Sequence, residues 1–230
     1  MLVFITMLAM GGLIGFVGAG GAGVVIAVLT LVFNIPIHTA VGTSLAAMIF
    51  TTFSGAFSHF REGNINVKVG LAVGLAGACG AFAGSKISTL LPGSELKFFT
   101  ASMLIVSAIL VYTRLTYPNL PLFHLKQGQS ADLTGSRFWL LAGLVGVGNG
   151  LLSGTFGFGA AQFIQLSLLI FFAMPLFHSV GTTMLIILPI AAFGGLGYLL
   201  SGYLDFMLFI QVLLGLMIGA YVGAKFTRHA

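Results

Sequence analysis

Apolar positions along this chain do not alternate with polar ones. They run in long blocks, at residues 2–33, 36–60, 66–91, 97–115, 137–173, 176–201 and 206–227. About 20 apolar residues in a helix cross the hydrocarbon core of a bilayer. The blocks therefore predict an all-α, polytopic membrane protein with about seven to nine segments. A transmembrane barrel would instead read as short strands of alternating polarity. The separators are polar or rich in turn residues. Arg61-Glu62-Gly63-Asn64 is one, and Leu91-Pro92-Gly93-Ser94-Glu95 is another, with Ser94 predicted as a helix N-cap. The longest, residues 116–136, holds Pro118, Pro121, Lys126, Gln127, Gly128 and Asp132. It divides the chain into an N-terminal membrane unit, 1–115, a cytoplasmic linker, 116–136, and a C-terminal unit, 137–230.

Two blocks, 2–33 and 137–173, are too long for one upright helix and short for two full crossings. Both carry glycine clusters: Gly18-Ala19-Gly20-Gly21-Ala22-Gly23 in the first, and Gly154-Thr155-Phe156-Gly157-Phe158-Gly159 in the second. Each is followed by a proline, Pro36 or Pro175. Glycine weakens a helix, so both blocks are predicted to be discontinuous or re-entrant.

Composition sharpens this picture. Of 230 residues, 58% are hydrophobic and 6% charged, against roughly 25% charged in soluble domains. Mean hydropathy is +1.13. Such a chain cannot coat a water-facing surface, and it is not of disordered composition. The N-terminal MLVFITMLAM lacks the basic start of a cleavable signal peptide and reads as membrane segment. The one cysteine, Cys79, excludes an internal disulfide. Nine Lys and Arg spread along the chain form no nucleic-acid patch and read as topology markers.

Shifting the chain against itself by 139 residues aligns 11–86 with 150–225 without a gap, with 20 identities in 76 positions. Gly15/Gly154, Pro36/Pro175, Val41-Gly42-Thr43/Val180-Gly181-Thr182, Gly63/Gly202 and Lys86/Lys225 are among them. This predicts two structural repeats. Basic residues set their orientation, because loops rich in Lys and Arg stay in the cytoplasm. Arg61 and Lys68 flank one turn, whereas its repeat partner near Gly202 has only Asp205. Arg114, Lys126, Arg137, Lys225 and Arg228 fall inside with them, and Lys86 and Lys97 fall outside. The halves are thus predicted to be inverted. The 137–173 block must then begin and end on one side, as a re-entrant hairpin or as two short crossings.

Inverted repeats with matched interruptions are a pattern of secondary transporters. Unwound backbone at membrane depth is tolerated where it lines a protein-enclosed or watered cavity, and helix N-termini suit anions. The substrate site is accordingly predicted at Gly20, Gly21, Gly23, Gly157, Gly159 and Gln162, with hydroxyls from Thr43, Ser44, Thr182 and Thr183. Gln165 and Asn149 are further buried amides. The alternative is that the glycines only permit close helix packing. Gly80-x-x-x-Gly84 and Gly219-x-x-x-Gly223 read as such packing faces. His38, His59 and His178 read as mouth residues rather than proton carriers. Glu62, Glu95, Asp132 and Asp205 all fall in loops or at segment ends, which favours an anion over a cation. Gly18-x-Gly20-x-x-Gly23 matches a dinucleotide fingerprint only formally, because no strand precedes it. No metal or cofactor motif is present. A serine–histidine hydrolase, from Ser44, Ser54 or Ser153 with His59 or His178, has no local signature.

The run Gly11-Gly12-Leu13-Ile14-Gly15-Phe16-Val17-Gly18-Ala19-Gly20-Gly21-Ala22-Gly23, then Pro36 and Ala40-Val41-Gly42-Thr43-Ser44-Leu45, resembles the TauE/SafE sulfite exporter family. The second half echoes it with Gly154-Thr155-Phe156-Gly157-Phe158-Gly159, Pro175 and Val180-Gly181-Thr182-Thr183. The resemblance covers nearly the whole chain. It implies export of sulfite or a related small sulfur-containing anion, such as a sulfonate, across a prokaryotic inner membrane. It also places substrate contacts on the glycine breaks and on the Gly-Thr-Ser and Gly-Thr-Thr turns. Ala160, Ala161 and Gln162 replace Gly21, Ala22 and Gly23 in the second half, so the two sides of the site are unequal. The expected mechanism is alternating access, with an anion channel as the alternative. The expected partners are a small anion and the lipid bilayer, without nucleic acid; a homodimer is left open.

Overall fold

A computed structural model describes residues 2–17, 22–116, 135–158 and 160–227. Helices are the only regular structure among them: α1 (Leu2–Val17), α2 (Ala22–Leu31), α3 (Ile37–Arg61), α4 (Val67–Leu90), α5 (Gly93–Thr116), α6 (Ser136–Phe156), α7 (Ala161–Phe171), α8 (Leu176–Leu200) and α9 (Phe206–Thr227). Five of these, α3, α4, α5, α6 and α8, are long and apolar enough to cross a membrane. α2 and α7, of 10 and 11 residues, are too short to do so alone. Ser94, expected as a cap, lies within the first turn of α5, which starts at Gly93 after Pro92. Residues 117–134 of the linker lie outside the described residues.

Local chemistry sets the helix ends, and it recurs at a spacing of 139. Pro36 and Pro175 occupy the N-cap positions of α3 and α8, with ψ of 137° and 148°. Proline fixes φ and has no N–H to lose there. Asn66 caps α4 by accepting from the Val69 N–H at 3.1 Å. Asp205 does the same before α9, accepting from Met207 and Leu208. Gly63 and Gly202 turn the chain after α3 and α8 with φ of 72° and 77°. Asn34 and Ala173 share the left-handed region, at φ 52° and 45°.

Helix directions follow from close approaches. Gly42, early in α3, lies against Tyr198, late in α8, while Gly181, early in α8, lies against His59 and Asn64. α3 and α8 are therefore antiparallel. The turn at Gly63 and the turn at Gly202 sit at opposite ends of this pair. We call these the Arg61 end and the Tyr203 end. α4 and α6 run parallel, with Gly77 beside Gly146 and Gly150, Gly80 beside Val147 and Leu151, and Gly84 beside Leu151 and Thr155. α1 and α9 run parallel in the same way, with Gly11 on Leu216 and Gly215 on Met7. The small-residue faces at Gly80/Gly84 and at Gly219 thus pack on helices of the same chain. In lipid, such contacts rely on close backbone approach rather than on hydrophobic exclusion.

Two apolar cores result. One joins α4, α6, α7 and α8 around Ile164, Leu168, Ile186 and Ile190. The other joins α1, α2, α3, α8 and α9 around Met7, Leu29, Leu45, Tyr198 and Val212. α7 turns back along α6, as the 3.4 Å contact from Asn149 Nδ2 to Ser167 Oγ marks. Lys68 lies over the Phe138 ring at 4.8 Å, and Phe138 meets Phe172 edge-on at 6.1 Å. The start of α6 and the end of α7 are thus both at the Arg61 end. Gly93, at the start of α5, lies beside Ile37 and His38 at the Tyr203 end. α5 is the most exposed of the long helices.

Candidate functional site

The last turn of α6 stops at Gly157, whose φ of 74° is left-handed and whose N–H donates to Ser153 O at 2.7 Å. A side chain here would strain the backbone and would press on Val41 of α3. Ala160, at φ 47° and fully buried, is also left-handed. That costs a non-glycine residue about 1–2 kcal/mol. These two turns let α7 start deep inside the protein. Its first helical bond is Ile164 N–H to Ala160 O at 2.9 Å, so the amides of Ala161 and Gln162 precede it. α2 starts at Ala22, whose carbonyl accepts from Ser44 Oγ at 3.2 Å. Amides of a first helical turn have no acceptor within the helix.

These first turns meet. Ala22, Gly23 and Val24 of α2, and Ala161 and Gln162 of α7, line one cavity of about 450 Å³. Phe158, Met48 of α3, and Leu104, Ser107, Ala108, Val111 and Tyr112 of α5 complete it. Met48 lies near the midpoint of α3, so the cavity reaches the middle depth of the helices. Its polar side chains are Gln162, Ser107 and Tyr112, and no Lys, Arg, Asp or Glu lines it. Gly23 and Gln162 are equivalent positions under the 139-residue shift. One side contributes a carboxamide, and the other contributes bare backbone beside Leu104.

Of the residues singled out from the sequence, Gly23 and Gln162 are brought together in this cavity. Gly157 lies outside its lining, at the end of α6. Gly20, Gly21 and Gly159 lie outside the described residues. None of the four hydroxyl residues lines the cavity. Ser44 holds the start of α2. Thr43 is fully buried with its Oγ1 unpartnered. Thr182 Oγ1 accepts from the Asn66 N–H at 3.0 Å, and Thr183 donates to Ser179 O at 2.7 Å. Gly42 faces Tyr198, so Thr43 and Thr182 stand about 24 Å apart along the helix axes at 1.5 Å per residue. They cannot both touch one small ion. His38 donates Nε2–H to Ser88 O at 3.0 Å and stacks on Tyr203. His59 Nδ1 lies 3.6 Å from Glu62 Oε2 at the Arg61 end, and His178 is exposed. Among the described residues no His, Cys, Asp and Glu group could hold a metal ion.

Sequence reasoning missed the α5 wall and Tyr198. Tyr198 is fully buried and donates toward Ser88 Oγ at 2.6 Å, with Gly154 O and Thr155 O at 3.1 and 3.3 Å. A tyrosine inside an apolar run was the available signal, since a buried phenol needs a polar partner.

Comparison with known proteins agrees with a membrane transporter. A probable membrane transporter protein of Bacillus subtilis, YdhB, is 51% identical over 228 residues, covering 99% of this chain and 90% of its own length. A probable membrane transporter protein of Xylella fastidiosa is 27% identical over 225 residues, covering 95% and 83%. Another from Bacillus subtilis, YunE, is 22% identical over 242 residues, covering 98% and 89%. No solved structure matches. Residues 3–230 match the family described as Sulfite exporter TauE/SafE. The chain is therefore a multi-pass membrane transporter protein of the TauE/SafE family.

Proposed function

We propose that this transporter moves sulfite or a related small sulfonate outward across a prokaryotic inner membrane by alternating access. The observation that carries the reading is that Gly23 and Gln162, equivalent in the two halves, line one cavity at the first turns of two short helices. First-turn amides and the positive end of the helix dipole favour an anion. The Gln162 carboxamide adds a donor without the cost of a buried charge. About 450 Å³ leaves room for an oxyanion together with water or a short organic tail.

Matching helix bounds, caps and left-handed residues at a spacing of 139, with α3 antiparallel to α8, support an inverted repeat. Arg61, Lys68 and Arg137 gather at one end, which the positive-inside rule assigns to the cytoplasm. Lys86 and Lys97 lie toward the other. An inside-negative potential then drives export by about 2.3 kcal/mol per charge per 100 mV.

The test is flux from proteoliposomes loaded with sulfite, sulfate, thiosulfate or small sulfonates. Saturable efflux that an inside-negative potential accelerates is expected for at least one of them. Single-channel currents would replace the carrier with an anion channel, and absence of flux for every ligand would overturn the substrate class.

A further inference from the structure

The two ends of the molecule are closed differently. At the Tyr203 end, one phenol joins three helices. Tyr198 of α8 bonds Ser88 of α4 at 2.6 Å and faces the Gly154 and Thr155 carbonyls of α6 at 3.1 and 3.3 Å. Those carbonyls belong to the last turn of α6, whose C=O groups have no intrahelical N–H donor. α3 closes over the ring, because Gly42 leaves space for Tyr198 and for nothing larger: a Cβ there would lie 2.9 Å from Tyr198 Cβ. The network continues outward. Ser88 O accepts from His38, His38 stacks on Tyr203 at 5.0 Å, and Lys86 Nζ donates to Ser201 Oγ at 2.9 Å.

The Arg61 end lacks this clasp. Under the 139-residue shift the counterpart of Tyr198 is His59. Its side chain is 30% exposed, and its Nδ1 has no hydrogen-bond partner, only the Glu62 carboxylate at 3.6 Å. The cavity agrees. Its α5 lining starts at Leu104, the midpoint of that helix, and continues only toward the C-terminal end, through Ser107, Ala108, Val111 and Tyr112.

We infer that Tyr198 is a positioning residue: with Ser88 it clasps the end of α6, holds the α6–α7 break in place and closes the path between the cavity and the Tyr203 end. The state seen is open from the cavity toward the Arg61 end. Transport through the Tyr203 end then requires this clasp to release. The inference rests on reading the cavity between the two short helices as the substrate site.

Ser153 reports on the clasp. It is fully buried, its Oγ is unpartnered, and it lies next to Gly154. In a Cys79→Ser background, Ser153→Cys is treated with a charged, membrane-impermeant thiol reagent from the Tyr203 side. Ala142→Cys, buried on the same helix nearer the Arg61 end, is the control. Adding Tyr198→Phe, which removes one hydroxyl and keeps the ring, is expected to speed modification at Ser153→Cys roughly fivefold to tenfold. Modification at Ala142→Cys should not change. Ser88→Ala should act in the same direction, and it keeps the test alive if the phenylalanine variant folds poorly. Unchanged modification at Ser153→Cys, or equal acceleration at both sites, overturns the clasp. Acceleration at Ser153→Cys alone, in a protein that moves none of the tested anions, upholds the clasp and removes the anion assignment instead.

Discussion

Glycines on α6 divide into two kinds, and substituting them should give effects of opposite sign. A Cβ added at Gly150 would lie 2.8 and 2.9 Å from the Gly77 carbonyl carbon and Cα, closer than carbon atoms approach without repulsion. At Gly154 it would lie 2.7 Å from the same atoms of Ala81. At Gly143 and Gly148, on the same helix, it would meet nothing within 4 Å. Alanine gains about 1 kcal/mol of helix propensity over glycine at any of the four. At Gly150 and Gly154 the backbones of α4 and α6 must also separate by roughly an ångström, and overpacking of this kind costs typically 1–3 kcal/mol. The opposing Gly77 and Ala81 atoms are main chain, so no side chain can rotate out of the way. Net of the propensity gain the cost reaches about 2 kcal/mol, so Gly150→Ala and Gly154→Ala should lower the thermal midpoint in detergent by up to about 8 °C, at about 2–4 °C per kcal/mol for a chain of this size. Gly143→Ala and Gly148→Ala should leave it unchanged or raise it. Midpoints measured side by side for the four variants decide the matter. A drop at Gly143 or Gly148 as large as at Gly150 would refute close packing of α4 on α6 as the reason for these glycines.

Gln162→Leu should weaken anion binding about tenfold to a hundredfold, the range for a hydrogen bond to a charged group, with folding intact; titration calorimetry on purified protein reads this. Thr182→Val should do the reverse: it leaves the Asn66 N–H without its acceptor, costing about 1–3 kcal/mol of stability, and leaves anion affinity unaltered. Gly23→Leu should abolish flux while the protein still inserts, because its side chain would enter the cavity against Leu104; flux alongside membrane yield measures this. Single cysteines at residues 63 and 202, in a Cys79→Ser background, should react with an impermeant thiol reagent from opposite sides of the membrane.

Much of the helical layout was legible in sequence because span length and turn chemistry are local. The block 36–60 became Ile37–Arg61, 66–91 became Val67–Leu90 and 176–201 became Leu176–Leu200. Proline at the entry and glycine at the exit mark such bounds without tertiary context. The two overlong blocks each hold two described helices, α1 and α2 in the first and α6 and α7 in the second. The site was less legible. Thr43 and Thr182 share a sequence context, but antiparallel packing of α3 on α8 puts equivalent residues near opposite ends. A one-dimensional pattern carries no depth. Tyr198 and Ser88 are 110 residues apart, and no local periodicity links them. The wall of the cavity from α5 was invisible for another reason: that helix lies outside residues 11–86, which the 139-residue shift aligns with 150–225, so the repeat gave no hint of its place.

That helix has a consequence of its own. Five of the twelve cavity residues, Leu104, Ser107, Ala108, Val111 and Tyr112, come from one stripe of α5, at the three- and four-residue spacing of a helix face. Under the proposed mechanism, the parts that rock are the two repeats aligned over 11–86 and 150–225, and α5 lies outside both. On that proposal, point changes along this stripe would retune which guest is accepted without unbalancing the seesaw, one helical face at a time.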